Sequence, residues 1–195
     1  MTRAFGAIFV VVLMILSVAA AMAADTLEDA VAAYRTANYA TALRIYRSMA
    51  DRGFAIAQFN VGLMYDNGQG VSKDEVQAMK WYRLAADQGR SDAQYQLGHL
   101  YYKQDNHAEA GKWFHLAADQ GRADAQSNLG SMYAEGEGVP QDFVQALMWF
   151  TLAAAQNHKN GIENRDKAAG LMTPAQIAEA QKLARGWKST AKPVQ

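Results

Sequence analysis

Ala57-Gln58-Phe59-Asn60-Val61-Gly62-Leu63-Met64-Tyr65, followed by Trp81-Tyr82 and Ala85-Ala86, is a passage the chain writes three times. Ala93-Gln94 leads into Leu97-Gly98-His99-Leu100-Tyr101, and Ala125-Gln126 leads into Leu129-Gly130-Ser131-Met132-Tyr133. Trp113-Phe114 with Ala117-Ala118, and Trp149-Phe150 with Ala153-Ala154, complete the copies. Gly62, Gly98 and Gly130 step by 36 and then 32 residues. A period in this range marks a solenoid, one supersecondary unit stacked repeatedly, with function on the surface of the array.

Each unit reads as helix, loop, helix and a polar turn with glycine. Ala57, Val61, Met64 and Tyr65 recur at helical spacing. Asn67-Gly68-Gln69-Gly70-Val71-Ser72-Lys73-Asp74 breaks that helix, and a second helix runs from about Glu75 to Gln88, closed by Gly89 at positive φ. These features predict an all-α fold, an α/α solenoid of helix-loop-helix repeats spanning 54–89, 90–121 and 122–157. The middle unit is shortened to a loop of about Gln104-Asp105-Asn106, and the third restores Glu135-Gly136-Glu137-Gly138-Val139-Pro140-Gln141-Asp142.

Residues 24–53, with Ala30, Tyr34, Tyr39, Ala42, Tyr46 and Ala50 in register, form a degenerate N-terminal capping repeat. Residues 158–188 supply C-terminal capping helices, the last announced by Thr173-Pro174-Ala175-Gln176, and 189–195 are a tail. Glycine inside a helix costs about 1 kcal/mol relative to alanine. Its recurrence at 62, 98 and 130 therefore predicts a helix–helix approach with no room for a Cβ.

Residues 1–23 read as a signal peptide. Arg3 precedes an apolar run containing Phe9-Val10-Val11-Val12-Leu13-Met14-Ile15-Leu16, and Ala21-Met22-Ala23 places cleavage before Ala24. The run is also about long enough to span a bilayer, so an N-terminal anchor is the alternative. Without Arg3 the chain carries 18 basic and 19 acidic residues, with none of the basic stripe a nucleic-acid binder shows. The absence of cysteine excludes a disulfide framework and thiol nucleophiles. Bacterial export, most simply to the periplasm, is the expected localisation, with secretion as a further alternative and no membrane span after cleavage.

The repeated pattern resembles the Sel1-like repeat, a relative of the tetratricopeptide repeat. It comprises Ala-x-x-x-Leu-Gly-x-x-Tyr, Gly-x-Gly-Val-x-x-Asp, Ala-x-x-Trp-Tyr-x-x-Ala-Ala and a closing Gly. The resemblance implies a right-handed superhelix and an exported interaction module that regulates envelope signalling or surface assembly. Cysteine-rich members are described as binding or hydrolysing β-lactams, a branch that this cysteine-free chain does not match.

Chemical motifs are weak. The Gly-x-Gly loops at 68–70 and 136–138 join helices and lack both the strand of a dinucleotide fingerprint and the lysine of a P-loop, so they read as turns. His99, His107 and His115 recur every eight residues, about 12 Å along one helix, too far apart to share a metal. Trp81, Trp113 and Trp149 share one register beside Ala-Ala and read as core. No catalytic residue, cofactor or metal is expected.

Positions that differ among the three first helices fall at i, i+3 and i+7, on one stripe: Asn60, Leu63 and Asn67; Gln96, His99 and Lys103; Asn128, Ser131 and Glu135. Asp66, Tyr102 and Ala134 flank it. In superhelices of this type first helices line the concave side, so these residues are the expected groove for a peptide or protein partner, with Leu63 and Tyr102 as apolar anchors. The function expected is a non-enzymatic envelope adaptor. A cell-wall or β-lactam-binding enzyme and a self-associating structural protein are the alternatives; the sequence leaves oligomeric state open.

Overall fold

A computed structural model describes residues 26–191; residues 1–23, read above as a signal peptide, lie outside them, as do residues 192–195. The described residues form ten helices: α1 (Leu27–Arg35), α2 (Tyr39–Asp51), α3 (Ala55–Asn67), α4 (Glu75–Asp87), α5 (Ser91–Lys103), α6 (His107–Asp119), α7 (Ala123–Glu135), α8 (Phe143–Ala155), α9 (Lys159–Ala169) and α10 (Pro174–Gly186). The fold is an all-α solenoid of helical hairpins. Two compact units divide it within α4, the first ending at Trp81 and the second opening at Tyr82.

In the first unit Ala30, Ala42, Ile45, Tyr46, Ala57, Val61, Met64 and Trp81 form one buried cluster. Arg47 of α2 lies 4.9 Å from the centre of the Trp81 ring and donates to the Tyr65 hydroxyl at 3.1 Å. The second unit repeats the clamp: Arg83 sits 4.7 Å from Trp113 and donates to Tyr101 at 3.0 Å. A cation over an indole face adds about 0.5–1 kcal/mol at exposed sites. The next tryptophan, Trp149, is met instead by His115 and by Trp187 after α10, with ring centroids at 5.5 and 6.4 Å. Trp187, which had no counterpart in the repeat pattern, is thus the closing piece of the array's last tryptophan.

The Ala-Gln pairs have a structural use that the sequence pattern alone did not disclose. Gln58, Gln94 and Gln126 are buried, and each Nε2 donates to a carbonyl near the end of the preceding second helix: Ala50, Ala86 and Ala118 at 3.3, 3.2 and 3.2 Å. Each of these carbonyls also accepts from the backbone N–H of the glycine in the following turn, Gly53, Gly89 and Gly121, so the amide adds a second donor that ties one hairpin to the next. Gln126 also accepts a hydrogen bond from Gln156 at 2.9 Å.

Aromatic rings explain two of the repeated helix glycines, Gly98 and Gly130. A Cβ on Gly98 would lie 2.6 Å from Cδ1 of Phe114, and one on Gly130 2.7 Å from Cδ1 of Phe150. The close approach expected between helices is therefore filled by the phenylalanine of the hairpin's second helix.

Loop length alternates in a regular way. Short loops follow α1 and α5, with Ala37 at φ 58° and Asp105 at φ 57°, and Asn38 and Asn106 capping the next helix. Long loops follow α3 and α7. In the first unit Gly70 lies against the Tyr39 carbonyl at the start of α2; in the second, Gly138 lies against the His107 carbonyl at the start of α6. Tyr34 donates to Gln69 at 2.8 Å and Tyr102 donates to Glu137 at 2.7 Å, each across 35 residues. Corresponding residues stand 68 positions apart, as Tyr34 and Tyr102 do. A two-hairpin period in the loops is thus superposed on the single-hairpin repeat, and the short loop between α5 and α6 is part of it.

At the C-terminus α10 packs along α8, burying Ala180 with Leu147 and Phe150. Its start has the predicted capping box, Thr173 with Gln176, and Pro174 in the first turn. The backbone N–H of Thr190 donates to the Asp119 carbonyl at 2.7 Å, so the segment after α10 is tied down this far.

Candidate functional site

Five of the stripe residues line one cavity in the second unit: His99, Tyr102, Asn128, Ser131 and Glu135. Its volume is about 340 Å³, at the low end of the range of about 300–1,000 Å³ for ordinary ligand pockets. Phe114 and Met132, both almost fully buried, also line it, and Glu137 of the long loop adds a second carboxylate.

Local structure sets these side chains in place. Helical spacing puts His99 and Tyr102 near the end of α5, and Asn128, Ser131 and Glu135 along α7. Gly136 at φ +75° ends α7, and the loop then folds back until Gly138 meets the start of α6. Glu137, held between the two glycines, accepts from Tyr102 and lies 3.8 Å from His107 Nδ1. His107 in turn meets the Tyr102 ring edge to face, with centroids 4.7 Å apart.

The hydrogen bond to Glu137 pushes the Tyr102 hydroxyl up from its ordinary value of 10.0 to about 12, with desolvation and the charges of Glu137, Glu135 and Asp105 acting in the same direction. A raised tyrosine pKa favours the protonated form in the folded state. Its contribution to stability is therefore complete below pH 10 and is lost as pH rises through about 12. Absorbance titration of tyrosinate should reveal one residue ionising near pH 12, absent in Tyr102→Phe and shifted downward in Glu137→Gln. An unchanged titration in both variants would contradict the assignment.

The other stripe residues are placed differently. Asn60 and Leu63 are half-buried in the first unit, where Asn60 donates back to the Ile56 carbonyl of its own helix at 2.8 Å. Asp66 and Asn67 end α3, Gln96 is half-buried on α5, and Lys103 is exposed at its end. Tyr102, expected as an apolar anchor, is 38% exposed with its hydroxyl engaged by a carboxylate, so it presents a ring face and a polarised edge. Phe114 and Glu137 were missed because only the first helices were compared, and Met132 because it recurs and was read as part of the stack. The signal for Glu137 was the recurrence of tyrosine and Gly-x-Gly 35 residues apart.

The histidines occupy separate settings: His99 lines the cavity, His107 faces Tyr102, and His115 pairs with Asp119 at 2.9 Å. A larger cavity, about 580 Å³, lies among α8, α9 and α10, between Leu147, Leu152 and Ile177. Arg165 at its edge is already paired with Asp166 at 2.8 Å.

Tandem helical hairpins with recurring buried tryptophans and a cavity on the first helices define a repeat protein of the α-solenoid class. Within that class the Sel1 repeat profile matches residues 55–89, 91–121 and 123–158, and the chain belongs to the Sel1 repeat family. A Sel1 repeat protein from Oxalobacter formigenes is similar, with 31% identity and a TM-score of 0.64 over 77% of this chain. A protective antigen of uropathogenic Escherichia coli strains, displaying an SLR fold, shows 29% identity and a TM-score of 0.46 over 75% of this chain. The matches span 65% and 40% of those two proteins. No curated protein matches the sequence. Sel1 repeats generally mediate protein–protein interaction, and the fold is typically a non-enzymatic scaffold. No helix among the described residues is long and apolar enough to cross a membrane.

Proposed function

We propose that this chain is an exported adaptor of the bacterial envelope that holds a peptide or protein partner on its first-helix face. The cavity of the second unit carries this reading. It opens where the repeats differ from one another, at His99 and Ser131, while the recurring Leu97, Leu129 and Gly130 are buried. Positions serving only the stack have reason to recur; those freed from it can be specialised.

The mechanism is preorganisation. The lining is fixed by helix packing and by the Tyr102–Glu137 bond, so docking orders little of the scaffold and loses correspondingly little entropy. Asn60, Leu63, Asp66 and Asn67 on α3, with Gln96 and Lys103 on α5, are proposed as further contact points. Export rests on the composition of residues 1–23, and the periplasm is the proposed location. An intact Arg3–Ala23 segment on the purified protein would favour an anchor instead.

Ser131→Trp tests the site, because the indole fills the cavity above Phe114 and Met132 while no recurring core residue is replaced. Affinity purification from the native host should recover a partner with the parent chain and lose it with the variant, at equal melting temperature. Equal recovery with both would remove the cavity from the binding site.

A further inference from the structure

We propose that the cavity of the second unit is an arginine seat: it takes the guanidinium of an arginine side chain on the partner peptide. The inference rests on the partner-binding reading and specifies its chemistry.

The argument begins with the internal copy. Tyr34 and Gln69 in the first unit make the bond that Tyr102 and Glu137 make in the second. A neutral amide oxygen therefore meets the structural need, and the charge on Glu137 exceeds it. Around the same place the first unit has Val31, Leu63 and Asn67 where the second has His99, Ser131 and Glu135. Two aliphatic side chains have given way to a smaller or polar one, and two amides to carboxylates. The second copy is a polar, doubly acidic seat on the same backbone plan.

Those carboxylates lack a permanent counter-ion. Among the described residues Glu135 has no hydrogen-bond or ion-pair partner, although Lys167 lines an adjoining cavity of about 150 Å³ with it. Among the described residues, the positive group that reaches Glu137 is the His107 imidazole, positive only when protonated. Burying an uncompensated carboxylate pair against an incoming partner is costly, so a neutral or acidic occupant is disfavoured. A cation from the partner restores the balance.

Shape selects guanidinium over ammonium. Tyr102 offers exposed ring surface beside an apolar floor of Phe114 and Met132, while the carboxylates stand at the polar side. Guanidinium is planar, stacks on rings and donates in a fork that matches carboxylate oxygens; ammonium is a compact, strongly hydrated point charge. Glu137 uses Oε2 for Tyr102 and retains acceptor capacity for a second donor.

The probe is a set of blocked nine-residue alanine/serine peptides with arginine, lysine, citrulline or glutamate at the centre, titrated into isotopically labelled mature protein. The arginine peptide should shift the amide resonances of His99, Ser131 and Glu137. It should bind about tenfold more tightly than the citrulline peptide, the difference between charge-assisted and neutral hydrogen bonding. The double variant E135Q/E137Q, in which the amide still accepts from Tyr102, should lose that advantage while melting normally.

Lysine binding as tightly as arginine overturns the guanidinium assignment. Citrulline or glutamate binding as tightly overturns the cation assignment while leaving a peptide seat. If no peptide moves the cavity resonances, the arginine seat fails, and capture with Ser131→Trp separately judges the partner-binding reading.

Discussion

Trp149→Ala should destabilise the protein by about 3–5 kcal/mol, the usual cost of deleting a large buried aromatic side chain. Trp149 is 3% exposed and belongs to the cluster of Phe114, Leu129, Met132 and Ala184. Trp187 and His115 both rest their rings against it. The void therefore opens beneath the end of α10 as well as between the hairpins. Chemical denaturation should show the full loss, and fluorescence of Trp187 should move toward that of a solvated indole before the main transition. A loss below about 1 kcal/mol, within reach of ordinary surface substitutions, would mean that the last tryptophan does not join α10 to the array.

Gly138→Ala should have the next largest effect, and it bears on the site directly. Gly138 has φ +68°, where a side chain costs roughly 1–2 kcal/mol. An added Cβ there would also overlap the His107 carbonyl, a backbone group at the head of α6. The loop must lift to relieve that overlap, carrying Glu137 away from Tyr102. The expected signature is a stability loss above the conformational cost alone, together with Tyr102 ionisation falling from about 12 toward 10. Gly89→Ala supplies the comparison: its φ is +88° but nothing lies within 4 Å of the added Cβ. That variant should pay only the conformational cost and leave Tyr102 unchanged. Equal behaviour of the two variants would contradict a loop held by its contact with α6.

Much of the hairpin architecture was legible because the interactions that build it are local and recur. Gly89 at positive φ, the short loop at 104–106, and the Thr173–Gln176 capping box each depend on a few neighbouring residues. The core tryptophans were legible from their shared register, and all three are nearly buried. The contacts that escaped notice lie between hairpins. Arg47 reaches Tyr65 and Arg83 reaches Tyr101 across 18 residues, while Tyr102 reaches Glu137 across 35. No local propensity encodes such pairs. The double-hairpin period was hidden for a related reason: α1 lacks the Leu-Gly motif, so its short loop was read as degeneracy instead of the first instance of a pattern.

Within the site, the differing positions of the first helices led to five residues of the cavity. Glu137 was set aside because Gly-x-Gly was explained as a turn. The glycines do make the turn, but the residue between them is free to carry chemistry, and here it carries a carboxylate aimed at Tyr102.

The central claim is that a partner docks at the cavity between α5, α6 and α7. Site-specific photocross-linking in the native host tests it most directly, with the photoreactive residue at Ser131 or at Leu116, an exposed position on α6 that does not line the cavity. The account predicts a discrete adduct from position 131, with the attached peptide carrying arginine near the cross-link, and none from position 116. Adducts from 116 alone, or from neither position in cells where the protein is abundant, would contradict it.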